Sequence, residues 1–136
     1  MRKEIILSYF PKITPRRYQQ MLAFFSSLDN AWLEKSNEFK KAGWDDLVIS
    51  EFLEWRDNVS EEKIEKILKQ EGITCFTKND EEYPKLLKEI YDPPFCLFAR
   101  GQIPKNEFML AVVGARRFTS YGKQVTEEIV GELAGH

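Results

Sequence analysis

The chain has 136 residues, of which 43% are hydrophobic and 31% charged, with a formal net charge of −2. These values are ordinary for a globular domain and exclude collagen-like and disordered classes. No apolar run reaches the roughly 18 residues that a bilayer crossing needs, and the N-terminus lacks a signal-peptide core, so we expect a cytoplasmic protein without membrane contact. The pI of about 5.6 indicates that any site for a polyanion must be local.

Charge is unevenly divided along the chain. Residues 1–24 carry five basic and one acidic side chain, whereas residues 29–71 carry 12 acidic and seven basic ones. The acidic stretch would repel a phosphate backbone, and a solvated helical surface is the favoured explanation for it, since charged helix faces need no partner. Cys75 and Cys96 lack the C-x-x-C spacing of zinc or redox sites, so we predict buried, reduced thiols.

Up to Gly72 the apolar residues recur at helical spacing, which predicts four short helices in a compact bundle. The first begins at Pro15, the second holds Trp32, the third begins after Gly43 and the fourth begins near Ser60. The apolar positions predicted for these helices are Tyr18, Met21, Leu22, Phe25 and Leu28, then Trp32 and Leu33, then Leu47, Val48, Phe52 and Trp55, and finally Ile64, Ile67 and Leu68.

After Gly72 the pattern changes to strands mixed with helices. Residues 73–77 and 95–98 are short apolar runs typical of strands, and Pro84 opens a brief helix between them. The run 108–113 is apolar at nearly every position, which predicts a strand buried in the middle of an α/β sheet. A covering helix is predicted to begin near Tyr121 or Gly122. The resulting unit is strand, loop and helix.

The loop from Gly114 to Gly122 is the most informative segment. In α/β proteins, a loop between a buried strand and a helix N-terminus is where phosphates bind, and glycine allows the backbone to approach them. Arg116 and Arg117 add forked donors suited to phosphate oxygens. Thr119 and Ser120 can donate to phosphate or cap the helix.

Other interpretations of this loop remain open. Arg116 stands where G-x-G-x-x-G has its second glycine, and the G-K-[ST] ending of a Walker loop is absent, so dinucleotide and triphosphate sites lose support. A plain strand-to-helix turn with a Thr cap and exposed arginines fits the residues as well. Tyr121 either stacks on a base or packs against the sheet edge.

Three motifs together resemble the DNA-processing protein A family (DprA/Smf). They are D-x-x-Y-P-x-x-L at residues 80–87, D-P-P-x-x-L-[FY]-x-R-G at residues 92–101 and V-G-[SA]-R-x-x-[ST]-x-Y-G at residues 113–122. The resemblance implies an α plus α/β fold. A small helical bundle, similar to a sterile alpha motif, would span residues 1–72, and the first part of an extended Rossmann-like domain would span residues 73–136.

The resemblance also implies a function. Members of this family bind single-stranded DNA, protect incoming strands in natural transformation (competence) and help to load the RecA recombinase, without enzymatic activity and without a cofactor or metal. Gly114 and Arg116 match the family's strand-binding loop, and Arg116 is the principal candidate for a phosphate contact. The pattern is completed by Thr119, Tyr121 and Gly122. Arg117 falls at a variable position, and Ala115 stands where the family often has Ser.

We expect the chain to be part of a longer protein, because the family's later S-G-x-A-x-G-[IV]-D motif, its further basic contacts and its homodimer and RecA surfaces are not in this sequence. A single strand and helix cannot cover their own apolar faces. We therefore expect the chain alone to bind DNA weakly or not at all. His136 has no partner residues and receives no role.

Two other functions compete with this prediction. A Rossmann-like nucleotide-processing enzyme of the phosphoribohydrolase (lysine-decarboxylase-like) group would need a P-G-G-x-G-T-x-x-E stretch, which these 136 residues do not contain. Alternatively, the helical part alone is a protein-interaction or duplex-binding module. Its acidic stretch weakens the duplex version.

Overall fold

The computed structural model describes residues 1–103 and 110–134. The described elements are α1 (Lys3–Leu7), α2 (Pro15–Phe25), α3 (Leu28–Leu33), α4 (Ser36–Lys41), α5 (Asp46–Asn58), α6 (Glu61–Gln70), β1 (Ile73–Thr77), α7 (Lys85–Lys88), β2 (Cys96–Arg100) and α8 (Ser120–Ala134). The fold is mixed α and β, with one two-stranded sheet in the described residues. The likeness to a sterile alpha motif and to a Rossmann domain stays a prediction. In these ranges, no helix combines the length and the apolar character that a membrane crossing requires.

Capping side chains set the starts of the main helices. The side-chain oxygens of Thr14, Asp45 and Ser60 accept hydrogen bonds from the amide three residues further on, at 3.2, 3.0 and 3.3 Å. Such bonds satisfy amides that have no partner within the helix. Gly72 follows α6 with a φ of +61°, which glycine adopts without steric cost. The predicted starts at Pro15, after Gly43 and near Ser60 are confirmed.

The prediction of four helices before residue 72 is wrong. The structure describes all of residues 1–72 and forms six helices there, because α1 and α4 are only five and six residues long. Helices this short show too few turns for periodicity to reveal them. Leu47 and Ile67 were predicted on apolar stripes but are 64% and 50% exposed. Neighbouring residues differ by roughly 100° around a helix, so the buried Val48 and Leu68 face the core and leave them at its edge.

An aromatic core centres on Phe52 of α5. Its side chain is fully buried, and its ring centroid lies 5.2 to 5.9 Å from those of five other rings: Phe10, Trp32, Phe39, Trp44 and Trp55. These rings come from α3, α4, α5 and the loops that follow α1 and α4. Aromatic pairs at this spacing contribute roughly 0.5 to 1.5 kcal/mol beyond their buried area. One side chain therefore connects most of the helical part.

A smaller core lies against the sheet. It is formed by residues of α1 and α6, namely Ile5, Ile6, Ile64 and Leu68, and Cys75 and Cys96 pack on it. The strands are antiparallel, with Cys75 opposite Phe98 and Cys96 opposite Thr77, so both cysteines share one face. Both are free thiols, as predicted, but half-buried rather than buried. Burial raises the pKa of Cys75 and raises that of Cys96 to about 12.

The aspartate of the first motif, Asp80, ties the N-terminus to the sheet. Its carboxylate accepts two hydrogen bonds from the Arg2 guanidinium, at 2.7 and 2.6 Å, and one from the Thr77 amide at 2.7 Å. The same guanidinium donates to the carbonyl of Cys75 at 2.9 Å. The Arg2 bond, followed by the Thr77 amide, lowers the pKa of Asp80.

The tyrosine of the first motif binds the second motif. Tyr83 is 1% exposed, and its hydroxyl donates to the carbonyl of Pro94 at 2.6 Å. The next residue, Phe95, stacks on Tyr18 of α2, with ring centroids 4.2 Å apart and planes 12° apart. Burial raises the pKa of Tyr18 to about 12. Residues of both motifs therefore contribute to the packing between the sheet and the helices.

The chain forms two compact units, Met1–Lys105 and Asn106–His136. Within the first unit, β1 contacts both α1 and α6, so the segments on either side of residue 72 pack together. The division into domains 1–72 and 73–136 stays a prediction.

The basic N-terminal residues pair with carboxylates elsewhere in the first unit. Four of the five basic side chains in residues 1–24 form such ion pairs: Arg2 with Asp80, Lys3 with Glu61, Lys12 with Glu51 and Arg17 with Asp45. Partly exposed pairs contribute at most about 1 kcal/mol each. Their larger effect is to neutralise the uneven charge of the sequence within the fold.

The second unit is described over residues 110–134. The strand predicted at 108–113 is wrong over residues 110–113, which are irregular, while residues 108 and 109 lie outside the described part. A strand needs a partner for its backbone hydrogen bonds, and β1 and β2 pair with each other. Val113 is 91% exposed. The helix predicted near Tyr121 is confirmed as α8, although its apolar residues Ile129 and Leu133 are 51% and 55% exposed.

Replacing Phe52 should strongly destabilise the first unit. We expect Phe52→Ala to lower the free energy of unfolding by about 3 to 5 kcal/mol, because it leaves a cavity among five rings. Urea unfolding followed by tryptophan fluorescence measures this change. Phe24→Ala, at a side chain that is 43% exposed, is the control and should cost less than about 1 kcal/mol. Equal losses in the two variants would contradict the central role of Phe52.

Asp80 should make stability depend on pH in acid. Its folded pKa is lowered, so its contribution is present above the unfolded pKa of about 4 and is lost as the pH falls through the folded pKa. Asp80→Asn should therefore lower the free energy of unfolding by roughly 1 kcal/mol at pH 7, and the gap to wild type should close in acid. Thermal unfolding across pH measures the gap. Asp29→Asn, at an exposed aspartate, removes the same charge and should change the free energy of unfolding by less than about 0.5 kcal/mol at pH 7.

Candidate functional site

The predicted loop lines an open pocket of about 760 Å³ in the second unit. Five of the seven predicted site residues are in its wall: Gly114, Ala115, Arg117, Thr119 and Gly122. The other residues of the wall are Val112, Val113, Phe118, Lys123, Thr126 and Glu127. The loop and the first two turns of α8 therefore enclose one space.

Thr119 fixes the turn from loop to helix. Its Oγ1 accepts a hydrogen bond from the Gly122 amide at 3.1 Å, and its carbonyl accepts one from the Lys123 amide at 3.0 Å. Thr119 therefore caps the helix, which is one of the two roles, capping or donation to phosphate, that the sequence predicts for it. A Cβ on Gly122 would lie 3.4 Å from that Oγ1, which is an ordinary van der Waals contact. A Cβ on Gly114 would meet no atom within 4 Å, which leaves this backbone open to a ligand.

The two arginines differ in position. Both are exposed, but Arg117 is in the pocket wall and Arg116 is not. Arg117, at the variable position of the family pattern, is therefore the arginine that the pocket presents to a ligand. Arg116 stays the predicted phosphate contact at the rim of the same loop.

The aromatic residues of the loop differ in the same way. Tyr121 is 76% exposed and is not in the pocket wall, whereas Phe118 is 68% exposed and is in it. Sequence reasoning did not select Phe118 or Lys123. The signal for Lys123 was helical spacing, since residues 119, 122, 123 and 126 share one face at the start of α8, whereas Phe118 lies in the loop before α8.

The pocket combines apolar walls with mixed charge. Arg117 and Lys123 supply two cations, and Glu127 supplies one carboxylate. The Lys123 amine lies 3.7 Å from a carboxylate oxygen of Glu127, one helical turn further on. Val112, Val113 and Ala115 supply apolar surface on the loop side. A ligand with one negative group and one flat apolar group fits this composition.

The part of the chain that contains the loop is similar to known proteins. The family model of DNA recombination-mediator protein A matches residues 74–136. The DNA processing protein DprA of Bacillus subtilis is 37% identical over 67 residues, which cover 48% of this chain and 23% of that protein. No solved structure matches the chain significantly.

Two further relatives are called Protein Smf. The one from Borreliella burgdorferi is 32% identical over 71 residues, covering 52% of this chain and 23% of the relative. The one from Synechocystis sp. is 25% identical over 123 residues, covering 86% of this chain and 31% of the relative. The chain thus spans less than a third of the length of these relatives. Residues 74–136 include all of β1 except Ile73 and the whole candidate loop, and over these residues the chain is similar to a fragment of the DNA recombination-mediator protein A (DprA/Smf) family.

Proposed function

We propose that this protein is a DNA recombination mediator that binds single-stranded DNA through the loop 114–122. In this proposal it protects incoming strands in natural transformation and passes them to the RecA recombinase. The family match over residues 74–136 supports the mediator role. The observation that carries the binding role is the pocket that the loop and α8 enclose.

The composition of the pocket suits an unpaired strand. Phosphates repeat along the strand and attract Arg117 and Lys123, while each unpaired base offers a flat face to apolar side chains such as Phe118. In a duplex the base faces are stacked on one another and are not available. The pocket therefore fits single-stranded better than double-stranded DNA.

The helical part is a poorer candidate for a DNA site. Arg2, Lys3, Lys12 and Arg17 pair with carboxylates within the first unit. A phosphate backbone would have to break these pairs and approach the acidic stretch at residues 29–71. This arrangement supports the loop, rather than the duplex-binding version of the helical module, as the nucleic-acid site.

We propose a binding protein rather than an enzyme. The P-G-G-x-G-T-x-x-E stretch that the phosphoribohydrolase alternative requires does not occur in these residues. The loop offers backbone amides, cations and apolar surface, which are groups that bind nucleic acid.

Removing a loop arginine should weaken binding and reduce its dependence on salt. Labelled oligo-dT is titrated into the 136-residue chain, at protein concentrations up to the millimolar range, across a salt series. The slope of log K against log salt is negative. For Arg116→Ala and for Arg117→Ala we expect its magnitude to decrease by about 0.7 for each phosphate that the variant no longer neutralises. Arg16→Ala, at an exposed arginine of α2, removes the same charge from the first unit and should leave the slope unchanged. Identical slopes for wild type and both loop variants would overturn the assignment.

A further inference from the structure

We propose that the pocket in the second unit binds one unpaired nucleotide. Its base stacks on the Phe118 ring, and its phosphate replaces the Glu127 carboxylate as the ion-pair partner of the Lys123 amine. This inference rests on the proposed function and assigns a separate, testable role to each of three residues. Phe118 selects unpaired bases, Lys123 contacts phosphate and Glu127 limits the affinity.

Phe118 is the aromatic residue that the pocket itself presents. It is 68% exposed although it is fully apolar, and it shares the pocket wall with Val112 and Val113. A base that stacks on this ring removes apolar surface from water on both partners. Tyr121 is similarly exposed but is not in this wall. Loss of a stacking aromatic weakens binding by about fivefold or more for each base.

Lys123 and Glu127 form an ion pair, so a phosphate that binds Lys123 must compete with the Glu127 carboxylate. Both side chains are in the pocket wall, 3.7 Å apart, and they are 61% and 68% exposed. A phosphate attracts the Lys123 amine and is repelled by the Glu127 carboxylate. Because the pair is exposed, its opening costs little, and the amine exchanges one anion for another. Removal of the carboxylate should therefore strengthen phosphate binding.

Stacking on Phe118 and the phosphate interaction with Lys123 require different parts of the ligand. Stacking requires a base that is free of its complement, so a duplex or an abasic strand cannot use Phe118. The phosphate interaction requires only the backbone, so an abasic strand can still use Lys123. Two ligands of equal length and charge, oligo-dT and its abasic counterpart, therefore distinguish the roles of the two residues.

The stacking role is tested by NMR titration of the isotope-labelled 136-residue chain with both ligands. Phe118→Ala should weaken oligo-dT binding at least about fivefold and leave abasic binding unchanged. Phe118→Tyr keeps the ring and should bind oligo-dT like wild type. Tyr91→Ala, at an aromatic residue of the first unit that is 97% exposed, should change oligo-dT binding less than about twofold. Equal oligo-dT affinity for wild type and Phe118→Ala, or a larger loss in Tyr91→Ala, would overturn the stacking role.

The charge role is tested in the same titration. Glu127→Gln should tighten the binding of both ligands by about two- to fivefold. Glu132→Gln, the matched control, makes the same charge change on α8 at a position outside the pocket wall and should have a smaller effect. Equal effects of the two substitutions would overturn the role of Glu127. If the wild-type chain shows no shift with either ligand even at millimolar protein, where weak binding would still be seen, the binding role that the proposed function gives to the loop fails as well. If it binds and the variants do not differ, only this inference fails.

Discussion

The carboxylate of Asp80 and the hydroxyl of Tyr83 together join three segments of the first unit, namely the N-terminus, the end of β1 and the start of β2. The carboxylate receives the Arg2 guanidinium from the N-terminus and the Thr77 amide from the end of β1, and three residues later Tyr83 donates to Pro94 just before β2. The antiparallel sheet and its packing on α1 and α6 both depend on this arrangement. The first two motifs of the family resemblance therefore hold the first unit together, and the third motif alone lines a pocket.

The near-neutral net charge has a structural explanation. The sequence separates a basic N-terminus from an acidic stretch, and the fold brings the two together in ion pairs at Glu61, Glu51 and Asp45. Exposed pairs add little stability, so their main consequence is electrostatic. They remove cationic surface from the helical part. In the second unit, by contrast, the exposed Arg116 and Arg117 keep the loop cationic.

Local signals could be read from the sequence, and signals that depend on distant partners could not. Pro15, Gly43, the cap at Ser60 and the long apolar stripes predicted α2, α5 and α6, because helix starts and periodicity depend on residues only a few positions apart. The strand predicted from the apolar run is wrong over residues 110–113, because strand pairing depends on a neighbouring strand that an apolar run does not reveal. At the site, the loop residues were predicted from their types, whereas the positions of Phe118 and Lys123 in the pocket wall follow from the path of the loop and from the first turns of α8.

The exposed apolar surface of the second unit connects stability with binding. Val113 and Phe118 are largely exposed, so they contribute little to folding through burial. Apolar surface yields roughly 25 cal/mol for each Å² that leaves water, whether a core or a ligand covers it. In the function proposed above, a base that covers these side chains would gain this free energy. The two cations of the pocket wall would then hold the phosphate, and the apolar wall would favour an unpaired base over a paired one.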